Sequence, residues 1–230
     1  MSKSGVRILV VDDERPIRKF LRTTLTAQGY DIFEAVNGQE ALLSAAADHP
    51  DVIILDLGLP DMDGIEVIRR LREWSQTPII VISVREQEQT KVNSLDAGAD
   101  DYLTKPFGVS ELLARMRVAI RRSAKTEDEP VFQSGGLIVD LSRRQVAVEG
   151  KEIDLSPIEY DILKVLVQHA GKVLTHRQIL QMVWGSGYVS EAHLLRVTIS
   201  HLRKKLEKNS TQPEYILTEP GVGYRLHIED

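Results

Sequence analysis

The sequence predicts an α/β domain built on a parallel five-stranded sheet, followed by a smaller α+β domain. From residue 7 onward, short apolar runs alternate with segments whose apolar residues keep helical spacing, which is typical of a parallel sheet with helices on both faces. This alternation stops at Arg122, where the polar, acidic segment SAKTEDEP begins. We therefore predict a first domain at 1–122, a linker at 123–130 and a second domain at 131–230.

The composition is that of a globular protein, with 42% hydrophobic residues. The chain has no cysteine, which excludes disulfide bonds and thiolate metal sites. Its longest apolar runs, such as 79–82, are too short to span a bilayer, and no hydrophobic signal-peptide core follows the first residues. We expect a soluble, cytoplasmic protein with no membrane partner.

Five βα units follow one another in the first domain. Apolar residues at helical spacing, such as Ile17, Leu21 and Leu25, separate the predicted strands. Those strands are Arg7–Val11, Asp31–Ala35, 52–55, Ile79–Ser83 and Asp101–Thr104.

Polar side chains stand at the carboxyl ends of four of these strands. Asp12 and Asp13 follow the first strand, Asp56 the third, Ser83 the fourth and Lys105 the fifth. Because the carboxyl ends of parallel strands share one edge, we expect these groups to converge. Clustered carboxylates need a cation, and hard oxygen ligands favour Mg²⁺ or Mn²⁺. With Lys105 opposite, such a carboxylate could attack a phosphoryl donor. Alternatively, these acids are only solvated residues at strand ends.

Three segments of this domain resemble the receiver domains of two-component response regulators, over about residues 5–122. The segments are DLGLPDMDG from Asp56, DDE from Asp12 and ADDYLTKPF from Ala99. The resemblance implies a flavodoxin-like, doubly wound sheet of order 2-1-3-4-5. It also implies that Asp56 accepts a phosphoryl group from a histidine kinase.

The same resemblance assigns roles to the other residues of the cluster. It makes Asp13 and Asp56 direct Mg²⁺ ligands, together with the carbonyl of Gly58, and Asp12 a ligand through water. Lys105 would contact the phosphoryl group. Ser83 and Tyr102 would be switch residues: the Ser83 hydroxyl can donate to a phosphoryl oxygen, and the movement of its loop vacates space for the Tyr102 ring. Alternatively, Tyr102 is merely a half-buried aromatic.

Opposite charges recur along the fourth helix, fifth strand and fifth helix. Such residues are usually just solvated. In the OmpR/PhoB subfamily of response regulators, however, these positions form ion pairs between two subunits. The resemblance therefore implies a homodimer that forms on phosphorylation, with the pairs Lys91–Glu111, Asp101–Arg115 and Asp100–Arg122.

The second domain combines short strands with three helical segments. Alternating patterns predict strands at Leu137–Asp140 and Gln145–Val148, with a turn at 149–150. Helical patterns follow at 157–169, 175–184 and 190–208, and a glycine-containing hairpin ends the chain.

The last of these helices concentrates the positive charge of a domain whose acidic and basic residues are equal in number. We expect its core face to comprise Leu195, Ile199, Leu202 and Leu206. Roughly opposite lie His193, Arg196, Ser200, Arg203 and Lys204. Such a basic helix could bind a membrane or an acidic protein. DNA is the better partner because the apolar face is needed for the core and the preceding helix completes a helix-turn-helix arrangement.

Two further segments resemble the winged-helix effector domain of the OmpR/PhoB subfamily, over about residues 131–228. They are GKVLTHRQ from Gly171 and TEPGVGYR from Thr218. The resemblance implies that helix 190–208 reads the major groove, that the hairpin is the wing, and that the partners are promoter DNA and RNA polymerase. The wing arginine expected before the first glycine is replaced by Pro220, so Arg225 either contacts DNA or is structural.

Four short segments narrow the resemblance to a group of regulators of high-affinity potassium transport. These segments are LGLP, REWS, FGV and TEPGVG. Two other functions remain open at this stage. An aspartyl-phosphatase type of enzyme would have a second aspartate two residues after the nucleophile, where this chain has Gly58. A phosphorelay or scaffold protein would use the second domain to bind protein.

Overall fold

The structure is a computed structural model that describes residues 5–84, 87–124 and 131–229. The chain divides after Ala124 into two compact units. In the described part of the chain, no helix has both the length and the apolar character needed to cross a membrane.

The first unit alternates strands and helices, as predicted. Each strand is followed by a helix, and the first four helices return the chain to the start of the next strand. The elements are β1 (Arg7–Val11), α1 (Arg15–Thr26), β2 (Asp31–Ala35), α2 (Gly38–Asp48), β3 (Val52–Asp56), α3 (Gly64–Arg72), β4 (Ile79–Ser83), α4 (Glu88–Asp96), β5 (Asp101–Thr104) and α5 (Val109–Ala124).

The five strands form one parallel sheet in the order β2-β1-β3-β4-β5, which confirms the predicted topology. All residues of β3 and β4 are buried because helices cover both faces of the sheet. The register pairs Val11 with Leu55, Asp56 with Ile82 and Ser83 with Thr104. The carboxyl ends of β1, β3, β4 and β5 are therefore neighbours on one edge.

The predicted linker at 123–130 is largely outside the described residues, which omit 125–130. Helix α5 extends through Ser123 and Ala124, the first two residues of that segment. The domain limits 1–122 and 131–230 stay a prediction.

The second unit contains the predicted strands and helices together with three short strands that sequence analysis missed, β6, β9 and β10. Two antiparallel sheets form, in the orders β6-β7-β8-β9 and β10-β12-β11. The elements are β6 (Val131–Ser134), β7 (Leu137–Asp140), β8 (Gln145–Val148), β9 (Lys151–Glu152), α6 (Pro157–Gln168), β10 (Val173–Thr175), α7 (His176–Trp184), a 3-10 turn (Ser186–Tyr188), α8 (Ala192–Leu206), β11 (Ile216–Glu219) and β12 (Gly223–Leu226).

Helix α8 packs on the core of the second unit through its predicted apolar face. Leu195, Ile199, Leu202 and Leu206 are all buried. The helix ends at Leu206 because Glu207 adopts an extended backbone conformation. The buried Glu207 carboxylate accepts backbone hydrogen bonds from Glu214 at 2.7 Å and from Ile216 at 2.9 Å. This carboxylate fastens the end of α8 to the start of β11.

A second buried carboxylate connects α6 with α8. Glu159 accepts a hydrogen bond from Lys205 Nζ at 2.8 Å and one from the backbone N–H of Ser156 at 2.7 Å. Burial alone would raise the pKa of Glu159, but the hydrogen bonds from Lys205 and Ser156 outweigh it and hold this pKa below its ordinary value of 4.5. The ionised form is therefore favoured by folding.

We predict that Glu159→Gln destabilises the second unit at pH 7 and that this effect shrinks as the pH falls below 4.5. A carboxyl group whose pKa is lowered by folding stabilises the folded state above its unfolded pKa and loses that contribution as it becomes protonated. Urea unfolding between pH 7 and pH 3 measures the difference. Glu152→Gln, which replaces an exposed acid on β9, is the control. A difference independent of pH would contradict the assignment.

Candidate functional site

Three carboxylates meet at the carboxyl edge of the parallel sheet. Asp12 and Asp13 follow β1, and Asp56 is the last residue of β3. Each of the three offers one oxygen atom, and these atoms lie within 4.8 Å of one another. Asp12 is fully buried, Asp56 is 7% exposed and Asp13 is exposed. The convergence expected from the sequence is therefore present.

Lys105 lies between two of these carboxylates. Its Nζ atom is 2.8 Å from Asp12 Oδ2 and 2.6 Å from Asp56 Oδ2. Burial would lower the pKa of Lys105, but the hydrogen bonds to both carboxylates outweigh it, so the pKa is raised. Burial raises the pKa of Asp12, although Lys105 partly opposes this. One partly buried ammonium group thus partly offsets the charge of three acids.

The donor set of this cluster suits a divalent cation. Three carboxylates exceed the charge of Lys105, and hard oxygen ligands are those that Mg²⁺ and Mn²⁺ prefer. Asp13 lies on the exposed side, which leaves the cluster open to an ion from solvent. The Gly58 amide donates to Asp56 Oδ1 at 3.2 Å, so Gly58 lies beside the cluster. Its carbonyl as a metal ligand stays a prediction.

The loop that carries the acidic pair has a contact that sequence analysis missed. Arg18 Nη1, from the first turns of α1, donates to the carbonyl oxygens of Asp12 at 2.7 Å and Asp13 at 2.8 Å. The Asp12 carboxylate also accepts from the backbone N–H of Glu14 at 2.8 Å. The only available sequence signal was an arginine one helical turn after the acidic run.

The predicted switch residues lie on the same side of the sheet. Ser83 ends β4 and is buried, and its carbonyl accepts from the backbone N–H of Lys105 at 2.9 Å. Tyr102 is a buried residue of β5, and the Lys91 ammonium lies 5.6 Å from the centre of its ring. At that distance the ammonium and the ring attract each other. The structure thus connects a predicted switch residue with a predicted dimer residue.

Within one chain, most of the residues predicted for the dimer already have partners. Arg115 donates from Nη1 to both carboxylate oxygens of Asp101, at 2.9 Å and 2.8 Å. Its Nη2 donates to Glu111 at 2.8 Å. The predicted pair Asp101–Arg115 therefore exists inside a single subunit.

Asp100 also has its partners inside the chain. It is buried, and its Oδ2 accepts from Arg72 Nη2 at 2.8 Å and from the backbone N–H of Ile79 at 2.9 Å. Sequence analysis treated Asp100 as a surface residue and missed Arg72. The side chain of its predicted partner, Arg122, lies outside the described residues.

Helix α8 presents most of the predicted DNA-binding residues to solvent. Four of them are exposed, namely His193, Arg196, Ser200 and Lys204. The same outward face carries residues that sequence analysis omitted: His201 is exposed and Val197 is 38% exposed. The helical period was the signal that could have found them, because Val197 lies four residues after His193.

Arg203 is instead directed toward the hairpin. Its Nε donates to the carbonyl of Ile216 at 3.0 Å, and its Nη2 donates to Thr218 Oγ1 at 2.8 Å. The guanidinium also lies 5.6 Å from the centre of the Tyr224 ring. These contacts connect α8 with β11 and β12, so this guanidinium has a structural role within the domain.

Arg225 matches the structural one of its two predicted roles. Its side chain is 11% exposed and lies 2.9 Å from Glu219 Oε1 through Nη2. Nη1 donates to the carbonyl of Gly171 at 3.0 Å. The guanidinium thereby connects both strands of the hairpin with the segment before β10.

Two protein families match this chain, one in each unit. Residues 8–117 match the family described as "Response regulator receiver domain". Residues 150–226 match the family described as "Transcriptional regulatory protein, C terminal".

Characterised relatives are similar over nearly the whole chain. The "KDP operon transcriptional regulatory protein KdpE" of Escherichia coli (strain K12) is 52% identical over 96% of this chain and 99% of its own. KdpE of Mycobacterium tuberculosis (strain H37Rv) is 47% identical over 95% of this chain and 97% of its own. Among solved structures, DrrB of Thermotoga maritima, an OmpR/PhoB homolog, has 32% identity and a TM-score of 0.51, covering 97% of this chain and 99% of its own.

We predict that Lys105→Met lowers the free energy of unfolding in EDTA by about 1–3 kcal/mol, because it leaves the buried Asp12 carboxylate without its side-chain hydrogen bond. Urea unfolding followed by circular dichroism measures the loss. Lys19→Met, at an exposed position on α1, is the matched control. Equal stability of the two variants would show that the ammonium contributes nothing to folding.

Proposed function

Because the chain belongs to the two-component response regulators that join a receiver domain to an OmpR/PhoB-type DNA-binding domain, we propose that phosphorylation of Asp56 controls its binding to promoter DNA. It is a KdpE-like transcription regulator. The observation that carries the proposal is the position of Lys105, which bridges Asp12 and Asp56 within the cluster of three acids. A phosphoryl group added to Asp56 would lie next to the Lys105 ammonium.

The proposed donor is a phosphohistidine of a sensor kinase. A carboxylate oxygen of Asp56 attacks the phosphorus atom, an oxygen–phosphorus bond forms, and the phosphorus–nitrogen bond breaks with its electron pair going to the histidine nitrogen. Lys105 then moves its hydrogen bond from the Asp56 carboxylate to a phosphoryl oxygen. Asp13, Asp56 and the Gly58 carbonyl would hold Mg²⁺ or Mn²⁺ directly, and Asp12 through water. The ion would neutralise charge on the phosphoryl oxygens.

We propose no turnover of a separate substrate. The aspartyl-phosphatase alternative needs a second carboxylate two residues after the nucleophile, and Gly58 has no side chain to supply it. Asp56 therefore acts as an acceptor whose phosphorylated state is the signal.

The proposed signal passes through Ser83 and Tyr102 to the α4-β5-α5 face. The Ser83 hydroxyl donates to a phosphoryl oxygen, and its loop moves toward Asp56. The Tyr102 ring responds, and Lys91 moves with it because the ammonium lies against that ring. Lys91 is then placed to pair with Glu111 of a second subunit.

The proposed homodimer exchanges ion pairs that already exist. Asp101 and Arg115 pair within one chain, and the same two groups can pair across a two-fold axis. Each carboxylate keeps a guanidinium partner during the exchange, so the exchange adds little desolvation cost. The pair Asp100–Arg122 requires that Asp100 share its carboxylate between Arg122 and its internal partner, Arg72.

In the proposed complex, α8 enters the major groove and the β11-β12 hairpin lies against the DNA backbone. The exposed groups available for contacts are His193, Arg196, Ser200 and Lys204. Arg203 and Arg225 support this surface from within the domain. RNA polymerase is the further partner, and the cytoplasm is the compartment in which promoter DNA is bound.

The proposed target genes are those of potassium transport. This proposal is supported by the similarity to KdpE proteins, including the KDP operon regulator of E. coli, and by the sequence segments that predicted the same group.

We predict that acetyl phosphate with Mg²⁺ promotes dimerisation and tightens binding to selected DNA in the wild type and not in Asp56→Ala. DNA ligands are enriched from a random pool, affinity is measured by fluorescence anisotropy, and dimerisation is measured by analytical ultracentrifugation. Glu73→Gln, which removes an exposed carboxylate outside the cluster, should respond as the wild type does. If neither protein selects DNA, the scaffold alternative replaces the DNA-binding proposal; if Asp56→Ala responds fully, Asp56 is not the acceptor.

We predict different effects for two arginines of the second unit. Arg196→Ala should weaken DNA binding by about 1–3 kcal/mol while leaving the melting temperature unchanged, because Arg196 is exposed on α8. Arg225→Ala should lower the melting temperature, because it removes internal hydrogen bonds. Affinity and thermal unfolding are measured on both variants, and an Arg225→Ala protein of unchanged stability would contradict the structural role.

A further inference from the structure

The loop between β1 and α1 places two consecutive acidic residues on the same side of the chain. In an extended strand, successive side chains point to opposite faces. Asp12 and Asp13 nevertheless both bring a carboxylate oxygen into the cluster with Asp56. The backbone must therefore bend between Asp12 and Asp13, and the bend gathers like charges that repel one another.

Arg18 makes contacts that hold this bend. One nitrogen atom, Nη1, donates to the carbonyl oxygens of both Asp12 and Asp13, at 2.7 Å and 2.8 Å. Carbonyl groups of consecutive residues point in opposite directions along an extended chain, so a single donor reaches both only where the chain turns. The contacts are to backbone atoms, which leaves the carboxylates free to face the cluster.

The Arg18 side chain is mostly enclosed and lies near an acidic residue. It is 12% exposed, and its Nε lies 3.9 Å from the Glu34 carboxylate of β2. The same carboxylate oxygen lies 2.6 Å from Arg22 Nη2. Glu34 thus presents a negative charge behind the guanidinium, on the side away from the acidic pair.

We propose that Arg18 is a positioning residue for the divalent cation site, which it shapes by fixing the backbone bend of the acidic pair. It reaches the ion only through Asp12 and Asp13. This inference rests on the proposed function, since the site it shapes is the one proposed for the metal. Replacing a residue that orients a metal ligand without contacting the metal typically changes metal affinity about 10–100-fold.

The test is Mg²⁺ binding by the full chain, measured by isothermal titration calorimetry with MgCl₂ alone. Arg18→Met should weaken the affinity about 10–100-fold. The matched control is Arg22→Met, which removes the other arginine beside Glu34 without touching the acidic loop. It should bind Mg²⁺ as the wild type does. Arg18→Lys keeps the charge but loses the planar guanidinium, and it should also bind more weakly.

The outcomes separate this inference from the proposed function. If the wild type does not bind Mg²⁺, the metal site of the proposed function fails. If the wild type binds and a folded Arg18→Met protein binds equally well, the positioning role is overturned. Circular dichroism in EDTA establishes folding. If Arg18→Met does not fold, Arg18→Lys decides: reduced affinity supports positioning, and wild-type affinity shows that charge alone suffices, which overturns it.

Discussion

The arrangement of charged residues in the first unit depends on one constraint. Three carboxylates are held together at one edge of a parallel sheet, where they repel one another. The topology makes their proximity unavoidable, because β1 and β3 are hydrogen-bonded neighbours that end side by side. Lys105 opposes the repulsion by contacting two of the carboxylates, and Arg18 holds the backbone that carries Asp12 and Asp13. The remaining negative charge makes the cluster responsive to a cation or to a change in charge at Asp56. A site that is incompletely neutralised is well suited to signalling.

The sequence predicted the sheet and its acidic edge because both follow from local rules. Strand length, helical spacing and the position of polar residues at strand ends are all visible over a few residues. It could not predict contacts made between distant segments. Asp100 can be buried because Arg72, from the end of α3, donates to its carboxylate and pairs its charge. Strand β10 was missed because three residues carry no measurable period and its pairing partner, β12, lies about fifty residues later.

The same limit applies to the basic residues of the second unit. The helical period correctly separated the core of α8 from its outer face, but it could not tell how far a long side chain reaches sideways. Arg203 reaches the hairpin and Lys205 reaches Glu159. In a domain with no excess of basic residues, these internal contacts leave Arg196, in the first half of α8, and Lys204, in its last turn, as exposed cations. In the proposed complex, electrostatic attraction to one DNA site is therefore modest, and the proposed homodimer adds binding through effective concentration.

The contacts between α8 and the hairpin also have a consequence for the proposed recognition of DNA shape. Glu207 fastens the end of the helix to the start of β11, and Arg203, in the last turn of the helix, donates to the same strand. These contacts fix the C-terminal end of α8 against the hairpin. In the proposed complex, an α8 held against the hairpin in this way adapts little to the groove, and the DNA deforms to meet it. That proposal favours sequences that bend or narrow easily, even at base pairs that no side chain touches.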